Sequence, residues 1–122
     1  MESKKIVLAI DDFETQLFIY ETILKEYYEV KTCESAIKAI AILEKIKVDI
    51  IIVDIEMPIM NGFEFIREIR KNPKTEKTPV IVISSNEKIW ESIQHGANEY
   101  MEKPVEPEKL IKKIKEVIKN NE

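Results

Sequence analysis

Ile6-Val7-Leu8-Ala9-Ile10 is a continuous apolar run ended by Asp11-Asp12, the pattern of a strand buried on both faces. From about Phe13 to Glu26, Leu17, Tyr20, Ile23, Leu24 and Tyr27 recur at three- and four-residue intervals, which predicts a helix with one apolar face. Tyr28-Glu29-Val30-Lys31-Thr32 alternates and is short, as an edge or near-edge strand would be. A second helix is predicted from about Ser35 to Lys47, with Ala36, Ala39, Ile40, Leu43 and Ile46 in one row and Ile37 and Ile42 widening it. Asp49 to Asp54 holds four consecutive β-branched residues, Ile50-Ile51-Ile52-Val53, and reads as the central strand. Pro58 and Gly62 make the next stretch a loop. Phe63, Ile66 and Ile69 then share one face of a third helix that Asn72-Pro73 stops.

Pro79-Val80-Ile81-Val82-Ile83 is a further buried strand, ended by Ser84-Ser85-Asn86. A short fourth helix carries Ile89, Trp90 and Ile93, with Ile89 and Ile93 expected inside. It ends near His95-Gly96, where glycine suits a left-handed cap. Asn98 to Glu102 is a fifth, shorter strand. Glu106-Pro107 opens a last helix with Leu110, Ile111, Ile114, Val117 and Ile118 inward and lysines outward.

Strand and helix thus alternate five times. That implies an α/β fold: a doubly wound, five-stranded parallel sheet with right-handed crossovers and five helices on both faces. At 122 residues the chain suits a single domain, 1–122, with a real core and no second domain expected. The 44% hydrophobic and 34% charged composition fits a globular chain, not a disordered one. A net charge of -4 lacks the basic footprint of a nucleic-acid binder. No apolar stretch approaches the roughly 20 residues that cross a bilayer. Only five apolar residues precede Asp11, too few for a signal peptide, and the lone Cys33 cannot form an internal disulfide. The expected setting is cytoplasmic.

In a parallel sheet the C-terminal strand ends lie on one side. Asp11, Asp12, Asp54 and Ser84 stand at such ends, and Lys103 follows the fifth strand. Three neighbouring carboxylates resist joint ionisation unless a cation compensates them, and Mg²⁺ with oxygen ligands suits the set. Lys103 adds a movable positive charge. A carboxylate beside both is placed to attack a phosphoryl group, with Ser84 able to donate to one of its oxygens.

These residues, with Met57-Pro58 and Gly62 after Asp54, Ser84-Ser85, His95-Gly96-Ala97-Asn98 and Tyr100-x-x-Lys103-Pro104, resemble the receiver domain of two-component response regulators, most like the stand-alone chemotaxis type. The resemblance covers essentially the whole chain. It implies the flavodoxin-like strand order 2-1-3-4-5 and no effector domain. It implies that Asp54 accepts a phosphoryl group from a histidine kinase or histidine phosphotransfer protein. Asp12 and Asp54 would bind Mg²⁺ through side chains, Glu56 through its backbone carbonyl and Asp11 through a metal-bound water. Ser84 and Lys103 would hold phosphoryl oxygens, and Tyr100 would turn inward as Ser84 moves. The Lys103-Pro104 bond would be cis. The downstream target would dock on the fourth helix, fifth strand and fifth helix, with no direct nucleic-acid contact and no membrane insertion. No external product is expected, so the chain would not be an enzyme in the ordinary sense.

Three features depart from the family pattern. Ser84 and Lys103 are 19 positions apart, about three fewer than usual, close to one helical turn. Glu56 adds a negative charge two residues after Asp54, and Ser84 stands where Thr is commoner. Each functional reading also has a plainer rival. Asp12 would serve as a helix N-cap, Asp54 as one half of a structural pair with Lys103, Ser84 as a turn residue and Tyr100 as strand packing. Trp90 would be core, His95 a residue at a helix end, the Lys109–Lys119 row a solvated face and Cys33 inert. For the whole chain the rivals are a Mg²⁺-dependent phosphohydrolase with an aspartyl-phosphate intermediate and a pseudo-receiver that only binds. A flavin protein is more distant, because no phosphate-cradling loop follows the first strand.

Overall fold

The β-branched runs pair side by side in the structure, a computed structural model that describes residues 3–122. Met1 and Glu2, which entered the charge and leader readings, lie outside the described residues. The strands are β1 (Ile6–Ile10), β2 (Glu29–Cys33), β3 (Ile50–Val53), β4 (Val80–Ser84) and β5 (Glu99–Glu102). All pair in parallel, in the order β2-β1-β3-β4-β5. The helices are α1 (Glu14–Leu24), α2 (Ala36–Lys45), α3 (Gly62–Lys71) and α4 (Pro107–Asn120), with a 3₁₀ segment at Ile89–Ile93.

Side-chain alternation along the strands divides the core into two layers. Val7, Ala9, Ile50, Ile52, Ile81 and Ile83 pack with Leu17, Tyr20 and Leu24 of α1 and Leu110, Ile114 and Val117 of α4. Leu8, Ile10, Ile51, Val53, Val80 and Val82 pack with Ala39 and Leu43 of α2 and Phe65, Ile66 and Ile69 of α3. Both faces are covered, which is why the central strands tolerate no polar residue until they end. Two helices carry strong local starts. Ser35 Oγ accepts from the Lys38 amide at 3.2 Å, and Asn61 and Glu64 form a reciprocal capping box at 2.9 Å each way.

The predicted fold class holds, with one element altered. The expected fourth helix is a 3₁₀ segment, so four α-helices flank the sheet where five were expected. The pitch matters. An α-helix would bury Ile89 with Ile93, four residues on, whereas a three-residue turn aligns Ile89 with Ser92. Ile89 and Ser92 are indeed buried, and Ile93 is 48% exposed, contrary to its predicted inward place. Two other inward assignments fail for geometric reasons. Tyr27 lies past the end of α1 at Leu24 and is exposed, while Tyr28 is buried in its place. Ile37 sits outside the row set by Ala36, Ala39 and Leu43 and is also exposed.

Arg70 offsets the short segment. Its Nε donates to the Gly96 carbonyl at 3.0 Å, and Nη1 donates to the carbonyls of Thr75 and Thr78 at 3.0 and 2.7 Å. Nη2 donates to Asn98 Oδ1 at 3.2 Å, whose same oxygen accepts from the Val80 amide at 2.8 Å. One guanidinium therefore ties the end of the 3₁₀ segment to the α3–β4 loop and to β4. Gly96, with φ 111°, makes the left-handed turn that brings its carbonyl there. The Lys103-Pro104 bond is cis, as the resemblance implied.

Candidate functional site

Sheet register builds the site. Ile10 pairs with Val53, so Asp11 and Asp54 emerge side by side, and the Asp54 amide donates to the Ile10 carbonyl at 3.2 Å. Ser84 pairs with Glu102, and the Lys103 amide donates to the Ser84 carbonyl at 3.0 Å. Residues far apart in sequence thus meet at one sheet edge. Gly62 lets the loop fold back against this edge. A Cβ there would lie 2.2 Å from the Asp54 carbonyl oxygen, a distance no side chain tolerates.

Lys103 Nζ donates to Asp11 Oδ2 at 2.9 Å and to Asp54 Oδ2 at 2.8 Å. Asp11 is fully buried, and its Oδ1 accepts from the Phe13 amide at 3.0 Å. Asp54 is 8% exposed, and its Oδ1 is buried with no hydrogen-bond partner among the described residues. Carboxylate oxygens of Asp11, Asp12 and Asp54 lie within 4.8 Å of one another. Burial pushes the Asp11 carboxyl above its usual range; the Phe13 amide and Lys103 oppose that rise, and Asp54 adds to it. Burial by itself would lower the Lys103 ammonium, but its bonds to Asp54 and Asp11 hold it above the usual lysine range. The site is therefore rich in negative charge, and one ammonium serves two of its three carboxylates.

That donor set fits a hard divalent ion. Three carboxylates cluster, one is exposed to solvent, and a buried carboxylate oxygen is unclaimed. Asp12 is not the helix cap, because the capping position of α1 belongs to Phe13, which has no side-chain cap bond. Asp12 is exposed and lines the same cleft as Asp54, Glu56, Ser84 and Lys103. Ser84 is buried, and its Oγ accepts from the Asn86 amide at 3.2 Å. Tyr100 stands apart from the cleft on the edge strand, 37% exposed.

Sequence reasoning passed over Asn86. Its Nδ2 donates to Glu56 Oε1 at 3.1 Å, closing a bridge between the loops after β3 and β4. The signal was available in the matched offset, since each residue lies two positions past a strand-end site residue, Asp54 or Ser84. His95 lies just past the end of the 3₁₀ segment, and its ring stacks on Phe63 with centroids 4.3 Å apart.

Residues 7–115 match the family model of the response regulator receiver domain. The protein PilH of Pseudomonas aeruginosa is 32% identical over 117 residues, which span 92% of this chain and 96% of PilH. The response regulator PleD of Caulobacter vibrioides is 32% identical over 113 residues, but this chain spans only 25% of it. Among solved structures, the chemotaxis response regulator CheY4 of Vibrio cholerae superposes with a TM-score of 0.88 at 33% identity, covering 94% of this chain and 99% of that one. A response regulator from Chloroflexus aurantiacus gives 0.91 at 26% identity, covering 95% and 98%. The acid edge of a 2-1-3-4-5 parallel sheet and these likenesses agree: the chain belongs to the response regulator receiver domain family of two-component signalling.

Proposed function

We propose that Asp54 accepts a phosphoryl group from a phosphohistidine of a histidine kinase or phosphotransfer protein, and that the event alters a protein-binding surface. The observation that carries this reading is the unequal state of the two Asp54 oxygens. Oδ2 is held by Lys103, while Oδ1 makes no hydrogen bond among the described residues, so the ion pair leaves one carboxylate oxygen uncommitted. Oδ1 attacks phosphorus, the phosphorus–nitrogen bond breaks, and its electron pair returns to the donor imidazole. Lys103 moves from the carboxylates to a phosphoryl oxygen, and the Ser84 hydroxyl exchanges its contact with Asn86 for another. Asp12 and Asp54 side chains and the Glu56 carbonyl would hold Mg²⁺, with Asp11 contributing through water. When bound, Mg²⁺ supplies charge neutralisation for the carboxylates and the transferring oxygens.

The chain acts in this reading as a phosphoryl carrier with no external product. The Glu56 carboxylate is exposed and tied to Asn86 across the loops, so it is not free to reach the leaving group of a phosphohydrolase substrate. Output would fall on the surface formed by Trp90, Ile93 and Tyr100, with Tyr100 turning inward as Ser84 moves. Trp90 is 54% exposed, which suits contact better than core packing. The near-complete overlap with PilH and CheY4 supports a regulator that acts through protein contact. No described helix is long and apolar enough to cross a membrane. Incubation with acetyl phosphate and Mg²⁺ should give one phosphate adduct by intact mass, absent without Mg²⁺ and absent in Asp54→Ala. Turnover of the donor far beyond one equivalent, with no adduct accumulating, would favour the hydrolase instead.

A further inference from the structure

Among the described residues, two buried side-chain polar atoms lack a hydrogen-bond partner: Asp54 Oδ1 and the hydroxyl of Tyr20. The first has its explanation in the nucleophile. The second has none in packing, because Tyr20 is 1% exposed in an otherwise apolar layer where phenylalanine would fill nearly the same volume. A buried hydroxyl without a partner is destabilising, so its presence calls for a use.

Position suggests the use. Tyr20 packs in the layer that contains Ala9 and Ile52. These residues precede Asp11 and Asp54 by two positions, and strand alternation puts each acid on the same sheet face as its predecessor. Helical side chains lean toward the helix N-terminus. The N-terminus of α1 follows directly on Asp11-Asp12, so the Tyr20 ring points up the layer toward the acids and not away from them. Ala9, the residue two before Asp11 on that face, is small. Electrostatics agree. The Tyr20 phenol is pushed far above its ordinary range, first by burial and then by the negative charges of Asp11 and Asp54. The Gln16 side chain, one turn nearer the site, approaches the phenol closely enough to offset part of that rise, though not within hydrogen-bond geometry.

In the resting structure Lys103 satisfies Asp11 Oδ2. Phosphoryl transfer to Asp54 moves Lys103 to a phosphoryl oxygen, which strips a fully buried carboxylate of its ammonium partner. We propose that Tyr20 is a positioning residue that donates its hydroxyl hydrogen, through at most one water, to Asp11 when Lys103 leaves it. This rests on the phosphoryl-transfer reading for its purpose, though the contact itself does not. A phenol suits the role because it is neutral. It can relieve Asp11 without adding a fixed positive charge that would compete with Lys103 or the metal.

Two measurements test it. The first is a thermal-stability cycle on wild type, Tyr20→Phe, Lys103→Met and the double variant, without divalent ions. Tyr20→Phe alone should be neutral or slightly stabilising. With Lys103 removed, the same change should lower the midpoint, so the double variant falls below the sum of the singles. Additive midpoints would overturn the proposal, because a packing role does not depend on Lys103. The second is the initial rate of acetyl-phosphate labelling at saturating Mg²⁺. Tyr20→Phe should slow it about fivefold, the scale of one hydrogen bond, with the half-saturating Mg²⁺ concentration unchanged. An unchanged rate, or a slower rate with a matching loss of midpoint in the single variant, would also overturn it. If wild type takes no label at all, the transfer reading fails, while the stability cycle still decides the Tyr20–Asp11 contact.

Discussion

Asp11 works against the resting fold in order to serve the site. Its folded carboxyl titrates above the unfolded value of 3.8, so ionising it favours the unfolded chain. The stability this group contributes is fully present below about pH 3.8 and is lost as pH rises through its raised value. At neutral pH without divalent ions, Asp11→Asn should therefore raise the thermal midpoint by a few degrees, the effect of about 1 kcal/mol in a domain of this size. The same change should slow Mg²⁺-dependent labelling; a lowered midpoint would mean that the Lys103 bond outweighs burial and repulsion. Glu56 makes a second residue-level claim. Its carboxylate is held at the cleft mouth by Asn86, where a dianionic donor must pass. Glu56→Gln keeps an acceptor for that bond but removes the charge. Labelling by acetyl phosphate should speed up about threefold to tenfold, the effect of roughly 1 kcal/mol between like charges near a surface. The gain should shrink as salt is added, and a gain indifferent to salt would point to shape instead.

Among the elements, the 3₁₀ segment is where this chain is most its own. It is too short to hold the sheet edge by a helical apolar face, and Arg70 takes over part of that task through three carbonyls, one after the segment and two in the α3–β4 loop. The guanidinium is half-buried, and no salt bridge to it is present among the described residues. Arg70→Met should destabilise the domain by about 3 kcal/mol in urea unfolding, because three partly buried carbonyls lose a charged donor. A loss under about 0.5 kcal/mol, the size of an ordinary surface change, would show the network to be incidental. This region also marks the limit of what periodicity conveys. Ile50-Ile51-Ile52-Val53 announces its strand because burial on both faces leaves no other pattern. Ile89, Ser92 and Ile93 cannot announce their pitch, since five residues fit a three-residue turn as well as an α-turn. Tyr27 and Tyr28 show the same limit at an element boundary, where a helix ending two residues early decides which ring is buried.

At the scale of the whole molecule, the acids and the lysine were legible because a parallel sheet gathers its strand ends, and that rule needs only the strands in order. Contacts between loops were not. The Glu56–Asn86 bridge depends on where two loops turn, and the direction of the Tyr20 hydroxyl depends on how α1 lies over β1. The fold joins these parts into one device: a charged sheet edge next to an edge strand covered on one face by a 3₁₀ segment. Trp90 is the only tryptophan and sits on that segment, half exposed. Phosphorylation should therefore change its emission in wild type and leave it unchanged in Asp54→Ala, with Ser84→Ala uncoupling the change from the label. An emission change that survives Asp54→Ala would place the response elsewhere.

The claim on which all of this turns is that the phosphoryl group is carried by the Asp54 carboxylate. Borohydride reduction of labelled protein, followed by peptide mass mapping, addresses it directly, since an acyl phosphate is reduced to an alcohol while a phosphoserine is not. The account predicts homoserine at position 54, dependent on Mg²⁺ and on the phosphodonor, with every other acid unchanged. A reduction-resistant adduct on Ser84 or Ser85, or reduction at Asp11 or Asp12 in place of Asp54, would contradict it.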